Sequence, residues 1–288
     1  MWLLSPTADN LNSAMDTTRL TKTKSSPAHW GKYRTALLVP LSILVAVLIW
    51  GLIVRVANFP AFILPPPGLV WNRLGQVIGD GSLLRHSLYT LGEVIAGLTL
   101  GVITAASLGY LLAKSPSVER LLSPYVVASQ SVPIVAIAPL LVIWFGPGLF
   151  SKVLICALIV FFPVLVNTIV GLRTVPDDLR DLMRSLQASR WQTFSLLEVP
   201  AALPIFLGGL RIGATLAVIG AVVGEFVGAD RGLGFMINRA RGQYDTALVF
   251  VAILALVFMA LSLYGLVVLL ESRLLSWRRR PEQPMFSQ

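Results

Sequence analysis

Val153-Leu154-Ile155-Cys156-Ala157-Leu158-Ile159-Val160-Phe161-Phe162-Pro163-Val164-Leu165-Val166-Asn167-Thr168-Ile169-Val170-Gly171-Leu172 is 20 residues without a charge, bounded by Lys152 and Arg173. A helix of about 20 apolar residues matches the hydrocarbon thickness of a bilayer. Five more uncharged stretches flank it. Ala36–Val54, Val94–Ala113 and Thr246–Leu270 hold 19, 20 and 25 residues. Val199–Gly224 holds 26, interrupted only by Arg211. Leu121–Ser151 holds 31 and contains Pro124, Pro133, Pro139 and Pro147, so it reads as one crossing bent by its prolines. The expected fold is all-α and polytopic, with six transmembrane helices within residues 36–275. Polar tails, 1–35 and 276–288, lie at either end.

The whole composition agrees. Of 288 residues, 56% are hydrophobic and 13% charged, where a soluble domain carries about a quarter. The mean hydropathy is +0.78. The lone cysteine, Cys156, sits inside an apolar run, so no disulfide framework exists. The net charge of +9 is scattered between apolar runs. It reads as membrane topology rather than a nucleic-acid surface. With six crossings, 15 Lys and Arg fall on the side of the termini and 7 on the other. The positive-inside rule then places both termini in the cytoplasm.

Two connections carry information. After the first crossing, Phe59-Pro60-Ala61-Phe62-Ile63-Leu64-Pro65-Pro66-Pro67-Gly68 favours a stiff polyproline II segment, followed by a short amphipathic helix over Val70–Ile78. It serves to dock against a partner or to cap the helix bundle, or else as a rigid connector. On the cytoplasmic side, Thr174-Val175-Pro176-Asp177-Asp178 reads as a helix start, with Thr174 as cap and carboxylates in the first turn. Leu179, Leu182, Met183 and Leu186 follow at i, i+3, i+4 and i+7, one apolar face of a short helix. Ser189 caps a second helix carrying Trp191 and Phe194. A helix pair between two crossings buries its apolar face either on its own spans or on a soluble partner.

Asp181-Leu182-Met183-Arg184-Ser185-Leu186-Gln187-Ala188, running on to Val199-Pro200-Ala201-Ala202-Leu203-Pro204, resembles the EAA loop of binding-protein-dependent ABC transporter permeases. The resemblance covers about Ser87 to Leu270. It implies the type I importer permease fold, with a coupling loop over residues 174–204. Asp181, Leu182, Met183, Leu186, Gln187 and Ala188 are then the residues that meet an ATP-binding subunit. Two positions depart from the pattern. Both alanines are enlarged, to Leu182 and Met183, and the glycine is Gln187. Were Gln187 to end its helix in a left-handed conformation, it would cost about 1 kcal/mol relative to glycine. Phe161–Thr168 is similar to nitrate, sulfonate and taurine importers. Val223–Gly234 is similar to importers of pyrimidine thiamine precursors or riboflavin, and the reading leans to that branch.

The resemblance implies a transport subunit of the bacterial inner membrane that does no chemistry itself. Its expected partners are an ABC ATP-binding subunit, an extracytoplasmic substrate-binding protein, a second copy of the chain and membrane lipid, with no nucleic acid. It binds no cofactor, since Gly-x-x-x-x-Gly-Lys-Ser/Thr is absent and ATP is used by the partner. The two histidines, His29 and His86, make no metal cluster. Ionisable residues at membrane depth mark candidate path or gate positions: Arg211, Glu225 and Glu93, with Asn167 as a polar neighbour. Arg211 and Glu225 lie about 21 Å apart along one helix and are not an ion pair. For Arg211 the alternative is snorkelling to the interface. For Glu93 and Glu225 it is a place near the headgroups. Asn167 and Thr168 read first as hydrogen bonders between helices. Gly224, Gly228, Gly232 and Gly234 form either a gate or a tight turn. The rival class is a secondary transporter or channel that works without an ATPase.

Overall fold

The computed structural model describes residues 29–276, and all regular structure among them is helical. The expected tails over residues 1–28 and 277–288 lie outside the described residues. The chain divides into two compact units, Met1–Val56 and Ala57–Gln288. In the first, α1 (His29–Ala57) begins inside the expected polar tail and runs through the first apolar stretch. Leu41, Leu44, Leu48 and Leu52 on it are all exposed, as a lipid-facing helix requires.

In the second unit, α2 (Pro67–Gly79) occupies the place expected for a short amphipathic helix. Only Pro65 and Pro66 form the stiff lead. Pro66 is extended at φ −63°, ψ 148°, and Pro67 opens the helix, where its missing N–H costs nothing. The apolar stretches then become α3 (Ser82–Lys114), α6 (Leu149–Arg173), α9 (Val199–Gly228) and α11 (Thr246–Leu274). With α1, five helices are long and apolar enough to cross a membrane.

The stretch Leu121–Ser151 departs from expectation. It is not one bent helix: it holds most of α4 (Pro116–Gln130), all of α5 (Ile134–Phe145) and the first residues of α6. Pro133 has no N–H to continue the ladder, and it disfavours helical backbone at Val132 before it. The chain therefore breaks at Ser131–Pro133. Pro124 and Pro139 stay inside their helices. The pair still joins the two ends of the bundle. Glu119 near the start of α4 pairs with Arg173 at the end of α6. Beyond α5, Pro147 approaches Gly228 at the end of α9.

The core lies where α6 packs between α3 and α9. Val94 and Ala105 of α3, Cys156, Val160 and Val164 of α6, and Ala217 and Ala221 of α9 are fully buried there. The close approach has a local cause. Gly97 and Gly220 face Cys156 from opposite sides, and a Cβ on Gly220 would sit 2.8 Å from the Cys156 Cα. Without a large apolar gain between lipid-bathed helices, such close backbone contact is what holds them.

Candidate functional site

Two polar regions stand at opposite ends of the bundle. At the first, α6 ends, and the loop expected to couple forms α7 (Asp177–Ser185) and α8 (Arg190–Thr193). Thr174 does not cap α7. Its hydroxyl donates to Gly171 O at 2.7 Å and closes the end of α6, while Pro176 precedes α7 without a side-chain cap. Asp177 and Asp178 occupy the first turn, where they favour the helix dipole. Arg180 Nη2 donates to Leu172 O at 2.9 Å and ties α7 back to α6. Asp181 accepts from Arg184 at 2.8 Å on the solvent side.

The apolar face is open. Leu179, Leu182 and Leu186 are 43%, 52% and 68% exposed, and Met183 is half-buried. Packing on its own spans is therefore not what this face does within the chain. α7 ends in a Schellman motif. Ala188 N–H donates to Met183 O at 3.0 Å and Gln187 N–H to Arg184 O at 2.9 Å. Gln187 has φ +52°, the left-handed conformation that favours glycine. Gln187→Gly is accordingly expected to raise stability by up to about 1 kcal/mol, read as a higher melting temperature of the purified chain. A lower one would mean that the glutamine side chain makes a stabilising contact of its own. Ala188 is half-buried, and Ser189 then forms a capping box. Its hydroxyl accepts from Gln192 N at 3.2 Å and its N–H donates to Gln192 Oε1 at 2.7 Å. A π-helical turn, Phe194–Glu198, leads into α9, with Phe194 edge-on to Tyr110 of α3.

At the opposite end the structure gathers groups that the sequence left apart. Lys152, expected to lie in an outer loop, is buried against Glu93. Nζ lies 3.2 Å from Oε1, with side chains 6% and 4% exposed. Glu93 is not at the end of its helix, because α3 begins eleven residues earlier, at Ser82. Glu225 is also buried, and α9 continues past it to Gly228. Its Oε1 accepts from Thr90 Oγ1 at 2.7 Å and its Oε2 from the Gly234 N–H. Thr90 Oγ1 accepts from Leu233 N at 2.8 Å, and His86 Nδ1 accepts from Gly232 N at 3.0 Å. Gly232 has φ +108°, and a Cβ there would enter the Glu225 carboxyl. The glycines thus form a tight turn pinned to a buried carboxylate. Glu93 and Glu225 are both buried within this chain, 3% and 1% exposed. The turn leads into α10 (Leu233–Gly242), a helix absent from the reading of the sequence. Its signal was present: Leu233, Met236, Ile237 and Ala240, all buried, recur at i, i+3, i+4 and i+7. Arg73 of α2 pairs with Asp245 beyond it at 2.7 Å.

Asn167 and Thr168 do not bond between helices. Asn167 Nδ2 donates to Pro163 O and Thr168 Oγ1 to Val164 O, each at 2.7 Å within α6. Pro163 sets its carbonyl within reach of a short polar side chain one turn on, the usual back-bond of polar residues in apolar helices. Asn167 also packs on Gly209 of α9. Arg211 neither snorkels free nor meets Glu225. It is ion-paired with Glu271 of α11 and lies 5.7 Å from the Tyr264 ring centroid. The structure therefore does not bring the four candidate path residues together. Glu93 and Glu225 share one buried cluster, while Arg211 and Asn167 stand apart from it.

An all-helical membrane bundle with an exposed amphipathic helix pair between two crossings defines the membrane subunit of a transporter worked from outside the bilayer. Residues 97–276 match the family of binding-protein-dependent transport system inner membrane components, and the chain belongs to that family: it is the permease component of an ABC importer. A riboflavin transport system permease protein, RibX, from Chloroflexus aurantiacus is 46% identical over 84% of this chain and 90% of its own. The formylaminopyrimidine transport permease protein ThiX of Halalkalibacterium halodurans is 37% identical over 83% and 95%. The fold is that of the solved inward-facing MetNI methionine ABC transporter, with a TM-score of 0.61 at 18% identity over 68% of this chain and 97% of that one.

Proposed function

We propose that this chain translocates a flat heteroaromatic nutrient across the bacterial inner membrane, riboflavin first and a pyrimidine thiamine precursor next. The likeness to RibX carries the substrate, and the resemblance of Val223–Gly234 to that branch supports it. The mechanism rests on the exposed face of α7. Two copies of the chain form the pathway, each seating Leu182 and Met183 in a groove of an ATP-binding subunit. A substrate-binding protein delivers from outside, and both termini lie in the cytoplasm. ATP binding draws the two coupling loops together and turns the pathway outward. Hydrolysis on the partner resets it. Taurine, alkanesulfonate or nitrate stand next as cargo.

Proteoliposomes holding the chain with its ATPase test this reading. Given the cognate binding protein, they are expected to accumulate labelled riboflavin only with ATP, and excess taurine is expected not to compete. Uptake of taurine but not riboflavin would overturn the substrate. Uptake without the ATPase would overturn the importer mechanism. In the same assay, Arg211→Ala is expected to cut the rate about tenfold or more, because it leaves the part-buried Glu271 without its ion-pair partner. Expression and ATPase docking should hold. A normal rate would reduce the Arg211–Glu271 pair to a structural contact.

A further inference from the structure

The cluster of Thr90, Glu93, Lys152 and Glu225 is short of one positive charge. All four residues are buried, and two carboxyls stand against one ammonium. Lys152 is the only cation paired with either carboxyl among the described residues. With both glutamates ionised, a net negative charge would sit inside the bundle, out of reach of water. A buried charge without a counter-charge loses its hydration for nothing, and a carboxyl in that position keeps its proton instead.

The hydrogen bonds point the same way. Glu225 is fully supplied with donors, from Thr90 Oγ1 at 2.7 Å and from the backbone N–H groups of Gly234 and Phe235. Glu93 is not. Its Oε1 faces Lys152, and its Oε2 is buried with no donor among the described residues. Yet the Glu93 and Glu225 side chains lie within hydrogen-bonding reach of each other. Ionised carboxylates only accept, so that contact is repulsive unless one of the two carries a hydrogen.

The surrounding groups do not supply it. On α3, Thr90 gives its hydrogen to Glu225, and His86 Nδ1 is taken by the Gly232 N–H. Arg85 and Arg239 exert their field on His86. On α6, the Cys156 thiol is directed at Ala217 O of α9, 3.5 Å away. In the turn before α10, Asp230 and Arg231 pair with each other at an exposed position. A metal ion does not fit either. No group of three or more His, Cys, Asp or Glu stands together among the described residues, and the Lys152 ammonium repels a second cation.

We infer that Glu93 and Glu225 hold one proton between them, on the side of Glu93 Oε2, so that the pair and Lys152 together are neutral. The proton turns the unpartnered oxygen into a donor and completes the network that pins the Gly232–Gly234 turn, and with it the start of α10. Neutrality sets the count in variants too. Glu93→Gln leaves Lys152 and an ionised Glu225, with the amide N–H donating where the proton did. Adding Lys152→Met to it removes the cation, and the proton returns to Glu225. The site lies at the end of the bundle opposite α7 and touches neither the ATPase face nor the reading of the cargo.

Infrared difference spectra of the purified full chain at neutral pH read this proton directly. Wild type minus Glu93→Gln is expected to show the C=O band of a protonated carboxyl, shifted in D2O, and wild type minus Glu225→Gln the same band. Glu93→Gln with Lys152→Met should regain it. Linkage gives a second readout. In the unfolded chain both carboxyls are ionised at neutral pH, so the folded chain binds one proton more and loses stability as pH rises. Between about pH 6 and 8 the unfolding constant of wild type should therefore climb about tenfold more per pH unit than that of Glu93→Gln. A band that is absent from wild type, or unchanged in both glutamine variants, would overturn the assignment, because the pair would then be ionised throughout. Equal pH slopes in wild type and Glu93→Gln would overturn it as well, and so would a Glu93→Gln chain that fails to fold, since its amide can donate in the proton's place.

Discussion

Replacing Leu182 and Met183 together with glutamate is expected to release the ATP-binding subunit from the purified transporter and abolish ATP-driven uptake. The two residues are adjacent and central on the open face of α7. Burying a leucine or methionine side chain contributes roughly 1.5–3 kcal/mol, and a charge placed there forfeits that gain and adds a desolvation penalty. Both changes lie outside the spanning helices, so insertion and folding should survive. Ser185→Glu places one carboxylate on the same helix but off the apolar face, and should leave the complex intact. The readout is the stoichiometry of ATPase that co-purifies, together with uptake. A double variant that retains a full complement and transports normally would remove the coupling role of this loop.

The second large effect belongs to the buried end. Lys152→Met is expected to destabilise the permease by about 3–5 kcal/mol, because it strands the Glu93 carboxylate inside the bundle. Adding Glu93→Gln should restore most of the loss, since the stranded charge goes with it. Replacing both partners of a buried pair by neutral groups is often close to neutral. Thermal melting of the detergent-solubilised chain, with size-exclusion profiles, reads both steps. A Lys152→Met protein as stable as wild type would show that Glu93 does not depend on this lysine. The same network holds the turn into α10 through Glu225, Thr90 and Gly234. Poor stability there should therefore accompany loss of transport.

The sequence alone determined the class of fold and most of the α7–α8 loop. Long uncharged runs admit only helices in a bilayer, because every backbone N–H and C=O must bond within its own segment. Local chemistry decided α7 and α8 for the same reason. The 3.6-residue period of Leu179, Leu182, Met183 and Leu186, the Ser189–Gln192 capping box and the left-handed site at Gln187 all act within a few residues of chain. Pro133 was equally local, yet a run of 31 uncharged residues hid the break, since hydropathy counts composition and not hydrogen bonds. Tertiary structure decided everything that depends on a partner far along the chain. Lys152 looks like a loop residue until Glu93, 59 positions away, appears 3.2 Å from its amine. Arg211 looks free until Glu271 neutralises it from α11. A buried charge is tolerable only beside its counter-charge, and which charges meet is set by how helices pack. That packing follows from contacts such as Gly97 and Gly220 on Cys156, which no local pattern announces.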